Sequence, residues 1–287
     1  MSKNWISEQD KLPLPVYLTY GQHNDGKNNN TQFYRYKIKS YNDGVCKVYE
    51  YKNERLKSTL SMSKTNHFSF SKNDLDLSEV EKELLLIEDR KKYLWKVKNK
   101  LRDYARNNDF DMFWTLTFDN NKIADVDDYR FDEMNKWLRK MRDTYGKFRY
   151  IAIPERHKSG AIHWHMVTGG FRPVLINSGK KYKNTPIHNC TDWEHGFSNV
   201  QKVRSKIKVA NYISKYITKD LVNSPVRKGK KKYWTSQGLS LPSVEYGDKK
   251  IKGIDLGEPC YENDVLKIYE VDLNLFNELD KNEKEED

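Results

Sequence analysis

Two histidines flank one bulky residue at His163-Trp164-His165, inside a largely apolar stretch at 162–168. A β-strand sends residues i and i+2 to the same face, roughly 7 Å apart along the backbone. Both imidazoles can then reach one divalent ion, while Trp164 points to the other face and packs. A strand with one packed face and one ligand-bearing face is therefore the first fixed point of the fold.

About fifty residues later comes Tyr212-Ile213-Ser214-Lys215-Tyr216. The two tyrosines are four apart and share one face of a helix. A helix over 205–219 would bury Ile207, Ala210, Ile213 and Ile217, which places Tyr212 and Tyr216 on a different side. Lys215 follows Tyr212 by three, close enough to favour its phenolate and to contact a phosphate.

The rest of the chain predicts an α+β domain, a central antiparallel sheet with flanking helices, preceded by a small N-terminal β-rich element. A hairpin is expected over 31–52, turning at Asn42-Asp43-Gly44. Residues 58–76 are rich in Ser, Lys and Asn and suit a linker. Ser78 and Glu81 resemble a capping box that opens a long helix to about Arg106, with Val80, Leu84, Ile87, Leu94, Val97, Leu101 and Tyr104 as its apolar positions. Residues 113–118 alternate as a half-buried strand does. A second helix over 129–144 carries Met134, Trp137, Leu138 and Met141 on one face. Strands are expected at 148–156, 161–168 and 197–203, with 171–192 as a loop excursion. The segments predicted are an N-terminal extension and linker (1–76), a main domain (77–272) and an acidic tail (273–287).

Composition narrows the chemistry. A formal charge of +11 and a pI near 9.2 favour a polyanionic partner. Cys46, Cys190 and Cys260 form neither a disulfide framework nor a CxxC zinc pattern, and His188, Cys190 and His195 match no zinc spacing. No secretory signal is visible, and no apolar run approaches the ~18 residues of a membrane span. The expectation is a protein of a reducing compartment, the cytoplasm, without membrane association.

Glu155 lies on the strand before the histidines, across a short turn, and can supply a carboxylate to the same ion; His157 at the turn is a weaker candidate. Two imidazoles and one carboxylate with open positions suit Mn²⁺ or Mg²⁺ as a Lewis acid. A phenolate is the right nucleophile for a transesterification that preserves bond energy. Basic residues surround the tyrosine helix: Lys202, Arg204, Lys206, Lys208, Lys215 and Lys219, then a run from Arg227 to Lys232 that includes Lys230. Together they suit a backbone-tracking groove. Tyr233 and Trp234 follow, offering rings to stack on unpaired bases.

Three stretches in this order resemble HUH endonucleases, specifically the rolling-circle replication initiators of bacterial plasmids and single-stranded DNA phages. Phe113-Trp114-Thr115-Leu116-Thr117-Phe118 looks like the family's first, hydrophobic strand. Ala161-Ile162-His163-Trp164-His165-Met166 looks like its metal strand, and Asn211-Tyr212-Ile213-Ser214-Lys215-Tyr216 is similar to its nucleophile motif. The resemblance covers about 110–220, and more weakly 233–242.

The resemblance implies an HUH/RRM-like sheet with the histidines on a central strand facing the tyrosine helix. It implies metal ligation by His163 and His165, with Glu155 as a third ligand. Tyr212 is implied as nucleophile, with Tyr216 as its partner for the second, closing cleavage. Single-stranded or supercoiled origin DNA is the implied partner. The sequence holds no GxxxxGK[ST] loop, so strand separation would fall to a host helicase. A relaxase or single-tyrosine transposase shares this chemistry. A non-catalytic nucleic-acid-binding protein and a metallohydrolase using water are the rivals from other classes.

Overall fold

The computed structural model describes residues 32–57, 78–123, 126–156, 161–216, 232–247, 251 and 255–274. The predicted linker at 58–76, His157, Lys219, Arg227, Lys230 and the tail beyond 274 lie outside them. In chain order the elements are β1 (Gln32–Ser40), β2 (Val45–Lys57), α1 (Glu79–Asn107), β3 (Met112–Phe118), α2 (Asp127–Tyr145), β4 (Arg149–Arg156), β5 (Ile162–Gly169), β6 (Leu175–Tyr182) and β7 (Thr185–Cys190). β8 (Gly196–Lys202), α3 (Lys206–Lys215), β9 (Trp234–Thr235), β10 (Ser243–Tyr246), β11 (Tyr261–Glu262) and β12 (Leu266–Asp272) follow. This is an α+β chain with two antiparallel sheets. No helix among the described residues is long and apolar enough to cross a membrane.

The chain divides into two compact units, one of residues 1–92 with 242–287 and one of residues 93–241. The first holds a five-stranded sheet in the order β10-β1-β2-β12-β11. Its β1–β2 hairpin turns at Gly44, whose φ of 82° is readily adopted by a residue without Cβ. Ile38, Cys46, Val48, Ile251, Tyr269 and Val271 form its core. Residues 243–272, drawn from sequence as part of one domain with 77–242, instead pair with the N-terminal hairpin. That return joins strands some 200 residues apart, a distance at which local patterning carries no signal.

The second unit is built on a seven-stranded sheet in the order β6-β7-β8-β3-β5-β4-β9. Alternation along β3 and β5 sorts residues to two faces. Trp114, Leu116, Phe118, Trp164 and Met166 join Phe131, Met134, Trp137, Leu138 and Met141 of α2 in one core. Fully burying such side chains contributes about 1.5–3 kcal/mol each. The other face receives Val97, Leu101 and Ala105 of α1 and Ala210, Ile213 and Tyr216 around α3, packed on Ile151, Ile153 and Val167.

The local rules that start these helices hold. Ser78 Oγ accepts from the Glu81 backbone N–H (3.3 Å) while a Glu81 carboxylate oxygen accepts from the Ser78 backbone N–H (2.9 Å), the reciprocal capping box. Ser205 caps α3 by accepting from the Lys208 backbone N–H. Two apolar stripes are shorter than predicted. Val80, Leu84 and Ile87 are exposed, and burial in α1 is confined to its C-terminal turns. Ile207, in the first turn of α3, is likewise exposed.

The segment at 171–192 is a hairpin rather than a loop excursion. β6 and β7 pair antiparallel from Tyr182↔Thr185 to Leu175↔Cys190, with an irregularity between Asn177 and Lys181. Lys183 and Asn184 at its tip both have positive φ (45° and 65°), the requirement of a two-residue hairpin turn.

Candidate active site

The strand register assembles the candidate residues in two rows across the sheet. Phe197, Thr117, His163 and Glu155 are successive cross-strand partners on β8, β3, β5 and β4. Asn199, Thr115, His165 and Ile153 form the next row on the same face. Because directly opposed residues share a face, one pleated surface presents both histidines, both threonines and Glu155.

Each imidazole is held by a threonine. Thr117 Oγ1 lies 2.9 Å from His163 Nδ1, and Thr115 Oγ1 lies 3.4 Å from His165 Nδ1. Nε2 is then the remaining nitrogen of each ring. That of His165 lies 2.7 Å from a Glu155 carboxylate oxygen. Burial, with the adjacent His163 as a lesser cause, pulls the His165 pKa from 6.5 down to about 3. Burial thus outweighs the nearby carboxylate, and the ring is neutral near pH 7, the state a metal ligand requires.

The donor types fit a divalent cation: two neutral-capable imidazoles oriented through Nδ1, and a carboxylate within reach of one of them. Among the described residues no group of three or more His, Cys, Asp or Glu side chains already stands at ligating geometry. Closing a ligand set requires Glu155 to exchange its hydrogen bond to His165 for the ion.

α3 sets the tyrosines over this surface, and it does not treat them alike. Tyr216 is 8% exposed and lies flat on the His165 ring, with centroids 3.5 Å apart and planes 13° apart. Tyr212 is 43% exposed and meets both Tyr216 and Phe113 edge-on, at 5.1 and 5.0 Å. The expectation that both phenols avoid the buried side is corrected for Tyr216. It follows Tyr212 by four but Ile213 by three, so it borders the buried stripe as well. Burial raises the Tyr216 pKa well above the ordinary tyrosine range. A hydrogen bond with Tyr212 and the charges of Tyr212, Glu155 and Tyr182 add to that rise. The Lys215 ammonium stands 5.7 Å from the centre of the Tyr212 ring.

The predicted basic groove is only partly assembled. Lys206 is paired with Asp109 at 2.5 Å, and an Arg204 Nη2–H donates to the Lys183 carbonyl at 2.6 Å. Lys208 is exposed on α3. Lys202 is exposed, but its register with Met112 puts it on the α2 side of the sheet, away from the histidines. Trp234, expected to stack on bases, packs edge-on against Trp164 (4.6 Å) and parallel to Phe131 (5.4 Å). Tyr233 packs against the second core. Both rings are absorbed by packing. Cys190 is buried, which pushes its thiol up to about 11, and His195 stands 3.8 Å from Glu133.

Sequence reasoning missed Thr115, Thr117 and Phe113 as site residues. The signal was present: alternation in β3 places all three on the face opposite Trp114 and Leu116. What was missing was the pairing of β3 with the histidine strand.

Known proteins place this same stretch. Residues 111–221 match the family model of the replication-associated protein ORF2 type. That segment is similar to replication-associated proteins. It contains the strand threonines, the histidine pair and both tyrosines. A curated relative, the replication-associated protein ORF4 of Chlamydia phage 1, is 27% identical over 208 residues, covering 62% of this chain. The chain spans about half the length of that relative (52%). No solved structure matches.

Proposed function

We propose that the chain nicks and rejoins single-stranded origin DNA by tyrosine transesterification, initiating and terminating rolling-circle replication of a phage or plasmid. The observation that carries this reading is the placement of two unequal phenols over a threonine-supported histidine pair, inside the segment similar to replication-associated proteins.

Tyr212 is the nucleophile, because its ring is accessible to a polymer substrate while Tyr216 is roofed and hard to ionise. The Tyr212 phenolic oxygen attacks phosphorus and the P–O3′ bond breaks. The 5′-phosphate stays on Tyr212, and the departing oxygen, taking a proton, becomes a 3′-hydroxyl. One phosphoester bond forms as one is lost, so a 3′-hydroxyl can later reverse the step. Lys215, beside Tyr212, is placed to meet the negative charge of the phosphate. Tyr216 acts in the closing cleavage only after leaving its stack on His165.

His163 and His165, with Glu155, would hold Mn²⁺ or Mg²⁺. When bound, the ion supplies Lewis-acid polarisation of the non-bridging phosphate oxygens. A host helicase would separate the strands.

The test is covalent trapping. Labelled single-stranded origin DNA incubated with the full chain and Mn²⁺ should yield an SDS-stable protein–DNA adduct. A product cut without any adduct would instead mean attack by water, and binding without cutting would leave a non-catalytic DNA-binding protein.

A further inference from the structure

The β6–β7 hairpin carries a basic and aromatic tip that the nicking chemistry above does not use. Residues 175–190 contain Lys180, Lys181 and Lys183 and no Asp or Glu. All three lysines are exposed, and none forms an ion pair with a carboxylate among the described residues. Tyr182, between them, is 56% exposed, with the Lys183 ammonium 5.6 Å from its ring centre.

The hairpin is aimed at the site. Val200 faces the α2 core, and His188 is its cross-strand partner. Alternation along β7 then puts Thr185, and its partner Tyr182, on the opposite face, with the histidines. Tyr182 lies within electrostatic range of the Tyr216 phenol. The tip is also tied to the tyrosine helix, since Arg204, which holds the Lys183 carbonyl, immediately precedes the α3 cap Ser205. Phe197, 51% exposed, stands on the same face in the row with Thr117 and His163. An exposed ring on a stiff two-residue turn, flanked by unpaired cations, is what an unpaired base on a phosphate backbone requires.

We propose that this hairpin is a single-stranded DNA arm: Tyr182 stacks on a base beside the scissile phosphate, and Lys180, Lys181 and Lys183 contact the neighbouring phosphates. The inference rests on the proposed nicking function for the position of that phosphate. Stacking on a base needs no particular sequence, so the arm binds single strands in preference to duplex.

The full chain is titrated with a fluorescein-labelled oligothymidylate of about 20 nucleotides in EDTA, by anisotropy, across a salt series. Tyr182→Ala weakens binding about tenfold, whereas Tyr182→Phe, which keeps the ring, binds as wild type. The triple Lys→Ala variant weakens binding at least about tenfold and lowers the log–log salt slope by about 2. Wild-type affinity in both the Tyr182→Ala and triple-lysine variants, in chains that still form the covalent adduct, overturns the arm alone. Loss of binding in those variants, with an adduct that survives Tyr212→Phe, supports the arm and sinks the nucleophile assignment. A wild-type chain that ignores the oligonucleotide overturns both.

Discussion

Tyr216 lies parallel to the His165 imidazole at 3.5 Å, and Tyr212 leans edge-on against it from the solvent side. Two phenols one helical turn apart are thereby given different work. Tyr212→Phe is expected to reduce the SDS-stable adduct below detection, a loss of on the order of 100-fold or more. Tyr216→Phe, which keeps the ring on the imidazole, should leave the first cleavage within a few-fold of wild type. Peptide mapping of the adduct to Tyr216 would reverse this assignment.

The same stack contributes to stability. Truncating a large buried aromatic to alanine costs about 3–5 kcal/mol. Tyr216→Ala should therefore lower the urea midpoint markedly, and Tyr216→Phe should hold it. Equal midpoints for the two variants would show that the ring is not a packing element.

His165 couples stability to acidity. Its pKa in the folded chain is about 3, below the ordinary 6.5, so the unfolded chain takes up the proton first as pH falls. The stability attached to the neutral ring is complete above about pH 6.5 and is lost progressively toward pH 3. Summed over that window the loss is roughly a few kcal/mol, reduced by the Glu155 carboxylate that receives the charged ring. Denaturant midpoints at about pH 7.5 and about pH 4.5 should diverge in wild type and converge in His165→Gln. An unchanged divergence in the variant would place the titration elsewhere.

Thr117 orients His163 through a 2.9 Å contact to Nδ1, and Thr115 does so more loosely for His165 at 3.4 Å. Outer partners of metal-binding histidines typically govern affinity by about 10–100-fold. Thr117→Val should raise the Mn²⁺ concentration needed for half-maximal adduct by about that factor, and Thr115→Val by less. The reverse order, measured by Mn²⁺ titration, would contradict the geometry.

Much of the second unit was legible because its signals are local. The alternation of 113–118, the face of α2 and the Ser78/Glu81 cap each follow from neighbours within a few residues. The β6–β7 hairpin escaped because its outer strand, Leu-Ile-Asn-Ser-Gly-Lys-Lys-Tyr, has no apolar alternation and is interrupted by an irregularity. Its turn is formed by Lys183 and Asn184, of which only the second is a usual positive-φ residue. Trp234 looked like a free ring because sequence shows neither Phe131 nor Trp164 beside it. Tyr212 and Tyr216 were paired correctly, but their inequality depends on how α3 lies on β5.

Helix α3 spans only ten residues, and Tyr216 is its C-terminal cap. Terminal turns loosen more readily than helix middles or paired strands. The cover over the His165 ring is thus fastened at the weakest point of its own support. A brief loosening there would admit solvent or an ion to the imidazole while the seven strands beneath stay in register.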